Sequence, residues 1–173
     1  MFLAIDHMRQ VRARTLSPDK TVTARMTAEG GITVSLELGC LARHDTRSLA
    51  REVRAAVSGV LAAWRRAGDQ VLLRELEPDA LDQAWQTPAG RRLRPFVDAL
   101  ERLEVTGVGR RGVAKVGMTD GKLRVAFRPE ALELRESELG AEIDSALISM
   151  YDHRSTEAAR LYDELVATEK AEA

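Results

Sequence analysis

Leu49-Ala50-Arg51-Glu52-Val53-Arg54-Ala55-Ala56-Val57 is echoed later in the chain by Leu139-Gly140-Ala141-Glu142-Ile143-Asp144-Ser145-Ala146-Leu147. In both stretches a Leu is followed by Glu at +3, a β-branched apolar residue at +4, Ala at +7 and an apolar residue at +8. Side chains three and four apart stack on one side of an α-helix, so each stretch predicts a helix with one buried face. The residues before each stretch match as well. Met26-Thr27-Ala28-Glu29-Gly30-Gly31-Ile32-Thr33-Val34-Ser35-Leu36 precedes the first, and Met118-Thr119-Asp120-Gly121-Lys122-Leu123-Arg124-Val125-Ala126-Phe127 the second. Both read as strand, glycine turn, strand. The offset is 91 residues in the strands (Gly30 to Gly121) and 90 in the helices (Leu49 to Leu139), a difference that a single-residue indel explains. A duplication of this length sets the fold class.

The rest of the chain fits that plan. Met8 to Leu16 alternates loosely and runs into Ser17-Pro18-Asp19-Lys20, where Pro presets φ and Asp bonds nearby backbone, the chemistry of a turn. Val22, Ala24 and Met26 share one face of a strand; Ile32, Val34, Leu36 and Leu38 share one face of the next. Asp45 or Thr46 suits a helix N-cap, and Leu49, Val53, Ala56, Val57, Val60, Leu61 and Trp64 form the buried stripe behind it. Gly68-Asp69 stops or weakens this helix, and Pro78 ends the unit. A linker runs from Pro78 to Pro88, with a helical turn around Ala80–Trp85, and a helix is expected over Gly90–Leu103. Val105–Val108, Val113–Met118 and Leu123–Phe127 are strands, and the last helix begins near Ser137. Gly107-Val108-Gly109-Arg110-Arg111-Gly112 matches the dinucleotide pattern G-x-G-x-x-G. That pattern needs a helix directly after it, whereas Val113–Met118 reads as strand, so the segment is a hairpin tip. The expected fold is α+β: two β-β-β-α repeats over residues 1–77 and 105–173, joined by a linker and connecting helix over 78–104. Each repeat packs an antiparallel meander on a long amphipathic helix, and the two close into an intramolecular pseudo-dimer.

Composition narrows the function classes. Apolar residues make up 45% and charged residues 31% of 173, an ordinary globular balance. There is no run of about 18 apolar residues to span a membrane. Met1-Phe2-Leu3-Ala4-Ile5-Asp6 lacks the basic and apolar regions of an export signal, so a cytoplasmic protein is expected. Cys40 is the sole cysteine, which excludes an intramolecular disulfide and predicts a half-buried thiol. His7, His44 and His153 have no metal-ligand spacing, and no cofactor is expected. Ser17, Ser48 and Ser155 lack a nucleophile elbow. His44 and Asp45 are adjacent before a helix and are not expected to pair, while Glu136 and Glu138 suit a helix start. Enzymatic activity is not expected.

The meander with glycine turns, a short connection and a long helix resembles the YbaB/EbfC family of bacterial nucleoid-associated proteins. The likeness is carried by Val116–Pro129 continuing through Ala131-Leu132-Glu133-Leu134-Arg135-Glu136-Ser137-Glu138-Leu139, and in the first half by Val22–Leu38 and Leu49–Trp64. That resemblance implies a small two-fold body that binds double-stranded DNA in the nucleoid, here with both copies in one chain as a monomeric pseudo-dimer or a homodimer of it. It departs from the family in one respect: a leading helix precedes the second half only.

Charge separates the two halves. Lys+Arg number 12 against 8 Asp+Glu in residues 1–76, but 5 against 12 in residues 127–173. Under the resemblance, Arg47, Arg51, Arg54, Arg65, Arg66, Arg91, Arg92, Arg110 and Arg111 are the expected contacts to DNA phosphates, tolerant of sequence and sensitive to salt. The plain alternative is a solvated shell of balanced charge. The acidic final helix supports a second reading: a protein-binding adaptor or chaperone-like module, such as a secretion-associated one, that keeps the fold without binding DNA.

Overall fold

Residues 13–27, 30–75 and 80–172 are described by a computed structural model, and its fold is α+β. The period-two patterns become β1 (Arg14–Leu16), β2 (Val22–Met26) and β3 (Ile32–Leu36), an antiparallel sheet in that order. They become β4 (Val105–Val108), β5 (Ala114–Thr119) and β6 (Lys122–Phe127) in a second such sheet. β5 and β6 are joined by Asp120 (φ 50°) and Gly121 (φ 69°), both left-handed, which matches the natural twist of a two-residue hairpin. The Gly109–Gly112 segment is the β4–β5 tip, with strand on both sides of it and no helix to receive a pyrophosphate.

Four α-helices lie among the described residues: α1 (Thr46–Glu75), α2 (Ala80–Gln86), α3 (Pro88–Arg102) and α4 (Glu136–Glu172). Asp45 caps α1, accepting from Ser48 N at 2.7 Å while its own N–H donates to Ser48 Oγ at 3.0 Å. This reciprocal pair satisfies two of the donors a helix start leaves open. Gly68 does not stop α1, which continues to Glu75. α3 begins at Pro88, two residues earlier than its apolar pattern indicates, because Thr87 caps it: Gly90 N donates to Thr87 Oγ1 at 3.0 Å, and Pro preorganises the first turn. β3 ends at Leu36, leaving Leu38 exposed instead of continuing the strand face. The strand pattern from Met8 to Arg12, the Ala28-Glu29 part of the first turn and the Pro78 stop lie outside the described residues.

The helices pack across the two sheets. α1 lies on β1 and β2 and also on β6; α4 lies on β4 and β5 and also on β3. Each helix therefore covers two strands of the sheet before it in sequence and the free edge strand of the other. Leu49, Val53 and Val57 of α1 join Leu139, Ile143, Leu147 and Met150 of α4 in one hydrophobic cluster with Val22, Val105 and Val116, all at most 1% exposed. Burying each such side chain is worth roughly 1.5–3 kcal/mol, and one core spans both sequence halves. Cys40 belongs to this core and is wholly buried, not half-buried as expected, and burial pushes its thiol up to about 11.

Beyond the sheets the packing thins. α3 lies along the far part of α4, where Phe96 meets Tyr162 edge-on with ring centroids 5.9 Å apart. Leu161 and Leu165 are only half-buried there, where α3 is the element alongside.

Candidate nucleic-acid interface

Two buried glutamates fix the ends of the sheets that frame this surface. Glu142 is 3% exposed and its carboxylate reaches the β4–β5 tip, accepting from Arg111 N at 3.0 and 2.9 Å and from Val113 N at 3.2 Å. Glu52, also 3% exposed, lies against the β1–β2 turn, accepting from Asp19 N at 3.4 Å and from Arg51 Nε at 3.0 Å. These are the glutamates at +3 in the paired stretches. Their signal was visible: a Glu on the apolar face, beside Leu49 and Val53 or Leu139 and Ile143, has to find buried donors.

A polar cluster holds the first turn onto the start of α1. His44, its side chain 8% exposed, brings Nε2 to 3.0 Å from Asp19 Oδ2 and to 3.2 Å from Thr21 Oγ1, and Nδ1 to 3.3 Å from Ser48 Oγ. Its partner is Asp19 and not Asp45. Burial pushes Asp19 up, but Ser17, the amide and hydroxyl of Thr21, and His44 together outweigh burial and hold the carboxyl at about 2. The Ser48 hydroxyl is committed to both backbone groups of Asp45, so this Asp–His–Ser row serves as a clamp.

Arg47, Arg51 and Arg54 stand at i, i+4 and i+7 on α1, one exposed stripe. Where α1 crosses the free edge of the second sheet they face β6, and Arg124 of β6 joins them. The four arginines line an open recess of about 710 Å³, with Asp45, Ser48, Ala50, Val125 and Ala126 completing its walls. Arg51 leans on Glu52, whereas Arg54 and Arg124 form no ion pair among the described residues. Lys115 and Lys122 lie exposed on the same outer face of the second sheet as Arg124.

The remaining expected contacts are dispersed. Arg65 and Arg66 lie exposed farther along α1, and Arg65 lies close enough to Tyr151 of α4 to act on its hydroxyl. Arg91 and Arg92 are exposed on α3, away from the recess, and Arg91 bonds the Gln86 carbonyl. Arg110 and Arg111 are at the β4–β5 tip beside the start of α4. Arg111 is engaged there, its guanidinium 3.0 Å from Glu138 Oε1. Glu138 also takes Arg135 Nε and N at 3.1 Å, and these bonds hold its carboxyl down at about 2. Arg124 was missed because a lone Arg on a strand has no periodicity to mark it; only the crossing of α1 over β6 gives it company.

A second recess, of about 580 Å³, has the same construction but opposite charge. It lies where α4 crosses the free edge of the first sheet and is lined by Val34, Ser35, Leu36, Arg135, Glu136, Gly140 and Asp144 among others. Asp144 Oδ1 accepts the Val34 N–H at 2.7 Å, and Glu136 Oε1 accepts the Gly39 N–H at 2.8 Å. Burial pushes Asp144 up to about 6, against the Val34 bond, which favours the charged form.

Among the described residues no group of three His, Cys, Asp or Glu side chains converges as a metal site, and no helix is long and apolar enough to cross a membrane. No protein-family model, no curated protein and no solved structure matches this chain.

Proposed function

We propose that this chain binds double-stranded DNA with little regard to sequence, as a tandem relative of the YbaB/EbfC proteins whose two β-β-β-α halves form an intramolecular pseudo-dimer. The pairing of α1 with β6 and of α4 with β3 supports the pseudo-dimer, because each half supplies the helix that covers the other's free strand. Joining the halves makes their association independent of concentration and frees the two surfaces to diverge.

The observation that carries the DNA reading is the recess between α1 and β6. Arg47, Arg51, Arg54 and Arg124 converge there from both halves of the chain, two of them without an acidic partner among the described residues. Planar guanidinium forks suit phosphate oxygens, and contacts of this kind position a duplex without reading its bases. Such a protein would act in the bacterial nucleoid. The test is a mobility-shift series on random duplex DNA from low to physiological salt, with Arg47→Glu/Arg51→Glu alongside. A shift at low salt that the double variant abolishes is expected; no shift at any salt overturns the reading.

A second reading, a protein-binding adaptor, is favoured by the carboxylates of the other recess, Glu136 and Asp144, on a helix that also exposes Asp152, Asp163 and Glu164. Acidic surface repels DNA, so any such partner would dock on α4 and leave the α1–β6 recess open.

A further inference from the structure

The two recesses differ at one decisive position, and the difference says what the basic one holds. In the first sheet, Val34 is on edge strand β3 and its N–H points away from β2, where the Asp144 carboxylate of α4 accepts it at 2.7 Å. In the second sheet, Thr119 and Lys122 close a two-residue turn and form a bonded pair. Bonded and non-bonded pairs alternate along an antiparallel ladder, so Gly117–Arg124 is bonded and Val116–Val125 is not. The Val125 N–H therefore points off the free edge of β6 into the basic recess, as that of Val34 points into the acidic one.

Asp144 is one residue after Ile143 on α4, and the residue in the same place on α1, one after Val53, is Arg54. An arginine cannot accept the Val125 N–H, since it carries donors only. The acceptor-bearing side chains of this recess are those of Asp45 and Ser48, and each accepts the other's backbone N–H in the α1 cap. A backbone donor aimed outward into a recess lined by four arginines leaves a place for an oxyanion where the other recess carries its own carboxylate.

We infer that the α1–β6 recess is a seat for a single phosphate group, one oxygen accepting the Val125 N–H and the others held by Arg47, Arg54 and Arg124. Charge-assisted bonds of this type are the stronger ones a protein forms, and Arg forks match the geometry of phosphate. The assignment of that phosphate to a DNA backbone rests on the proposed function; the seat itself does not. A phosphate fixed at the sheet edge would set how the duplex lies along the Arg47–Arg54 stripe.

The test is an amide NMR titration of the full chain with inorganic phosphate and, separately, with a short random duplex, at constant ionic strength. Val125 and Ala126 amides are expected to move saturably with both, while Val34 stays still. Arg54→Asp places a carboxylate opposite Val125, mimicking the Asp144–Val34 pair, and should weaken phosphate binding by about tenfold or more. Arg54→Gln, which keeps the side chain's reach without its charge, provides the same comparison should the first variant fold poorly. A Val125 amide indifferent to phosphate, or both variants binding phosphate as the native chain does, overturns the seat. Acetate moving Val125 while phosphate leaves it unmoved also overturns it, in favour of a carboxylate-bearing protein segment. Movement with inorganic phosphate but not with duplex upholds the seat and removes the DNA reading. A mobility shift with Val125 unmoved by duplex or phosphate does the reverse.

Discussion

The Asp144 carboxylate and the Val34 N–H, 110 positions apart in the chain, meet at 2.7 Å and join the last helix to the edge of the first sheet. An edge strand otherwise presents unpaired donors that invite other chains. Here the covering helix brings its own acceptor, at the cost of half-burying a carboxylate.

That cost gives a pH dependence whose sign is set by the shift. Asp144 is raised from 3.8 to about 6, so the folded state holds its proton more tightly than the unfolded one. Its contribution to stability is fully present below the unfolded value and is lost as pH rises through about 6. Asp144→Asn keeps an oxygen for Val34 and cannot ionise. Urea midpoints across that window should show the variant gaining on the native chain as pH rises, reaching its full advantage above about 6. A difference that stays constant with pH would contradict it. Asp19, held at about 2, acts in the opposite sense: its contribution is lost as pH falls from 3.8 towards 2.

The two buried glutamates should differ in worth. Glu142 accepts two backbone N–H groups at 3.2 Å or less, whereas Glu52 accepts one at 3.4 Å and leans on exposed Arg51. Glu142→Ala strands those donors under the hairpin tip and should cost about 2–3 kcal/mol; Glu52→Ala should cost about 1 kcal/mol. Equilibrium denaturation of both variants decides, and equal losses would mean the tip rearranges to find other partners.

β4 can approach α4 only because Gly107 has no side chain. A Cβ there would overlap the backbone of Ala146 and Met150, groups that cannot move aside as a flexible side chain can. Gly107→Ala should therefore lower stability by about 1–3 kcal/mol, the usual range for overpacking. A thermal midpoint unchanged from the native chain would show that the helix shifts freely.

If DNA binds, the salt dependence should distinguish unpaired from paired arginines. Arg124→Ala removes a cation with no ion pair among the described residues and should reduce the slope of log K against log salt by about 1. Arg111→Ala removes one already neutralised by Glu138 and should leave both slope and affinity close to native. Equal effects from the two would place the contact surface at the β4–β5 tip as well.

The local elements were legible in the sequence. Period-two and helical apolar spacing, the Asp45 cap, the Asp120-Gly121 turn and the hairpin at Gly109–Gly112 all act between neighbours, and the chain carries their signals in register. The Arg47, Arg51 and Arg54 stripe was legible for the same reason. Tertiary structure decided which strand each helix covers, because an apolar face records that it is buried but not against what. The placement of β6 beneath α1 brings Arg124 to the stripe, and the placement of β3 beneath α4 gives Asp144 its donor at Val34. Edge N–H groups belong to the backbone and leave no trace in residue type. The acidic and basic recesses could thus be recognised as comparable only once both helix–strand crossings were in place.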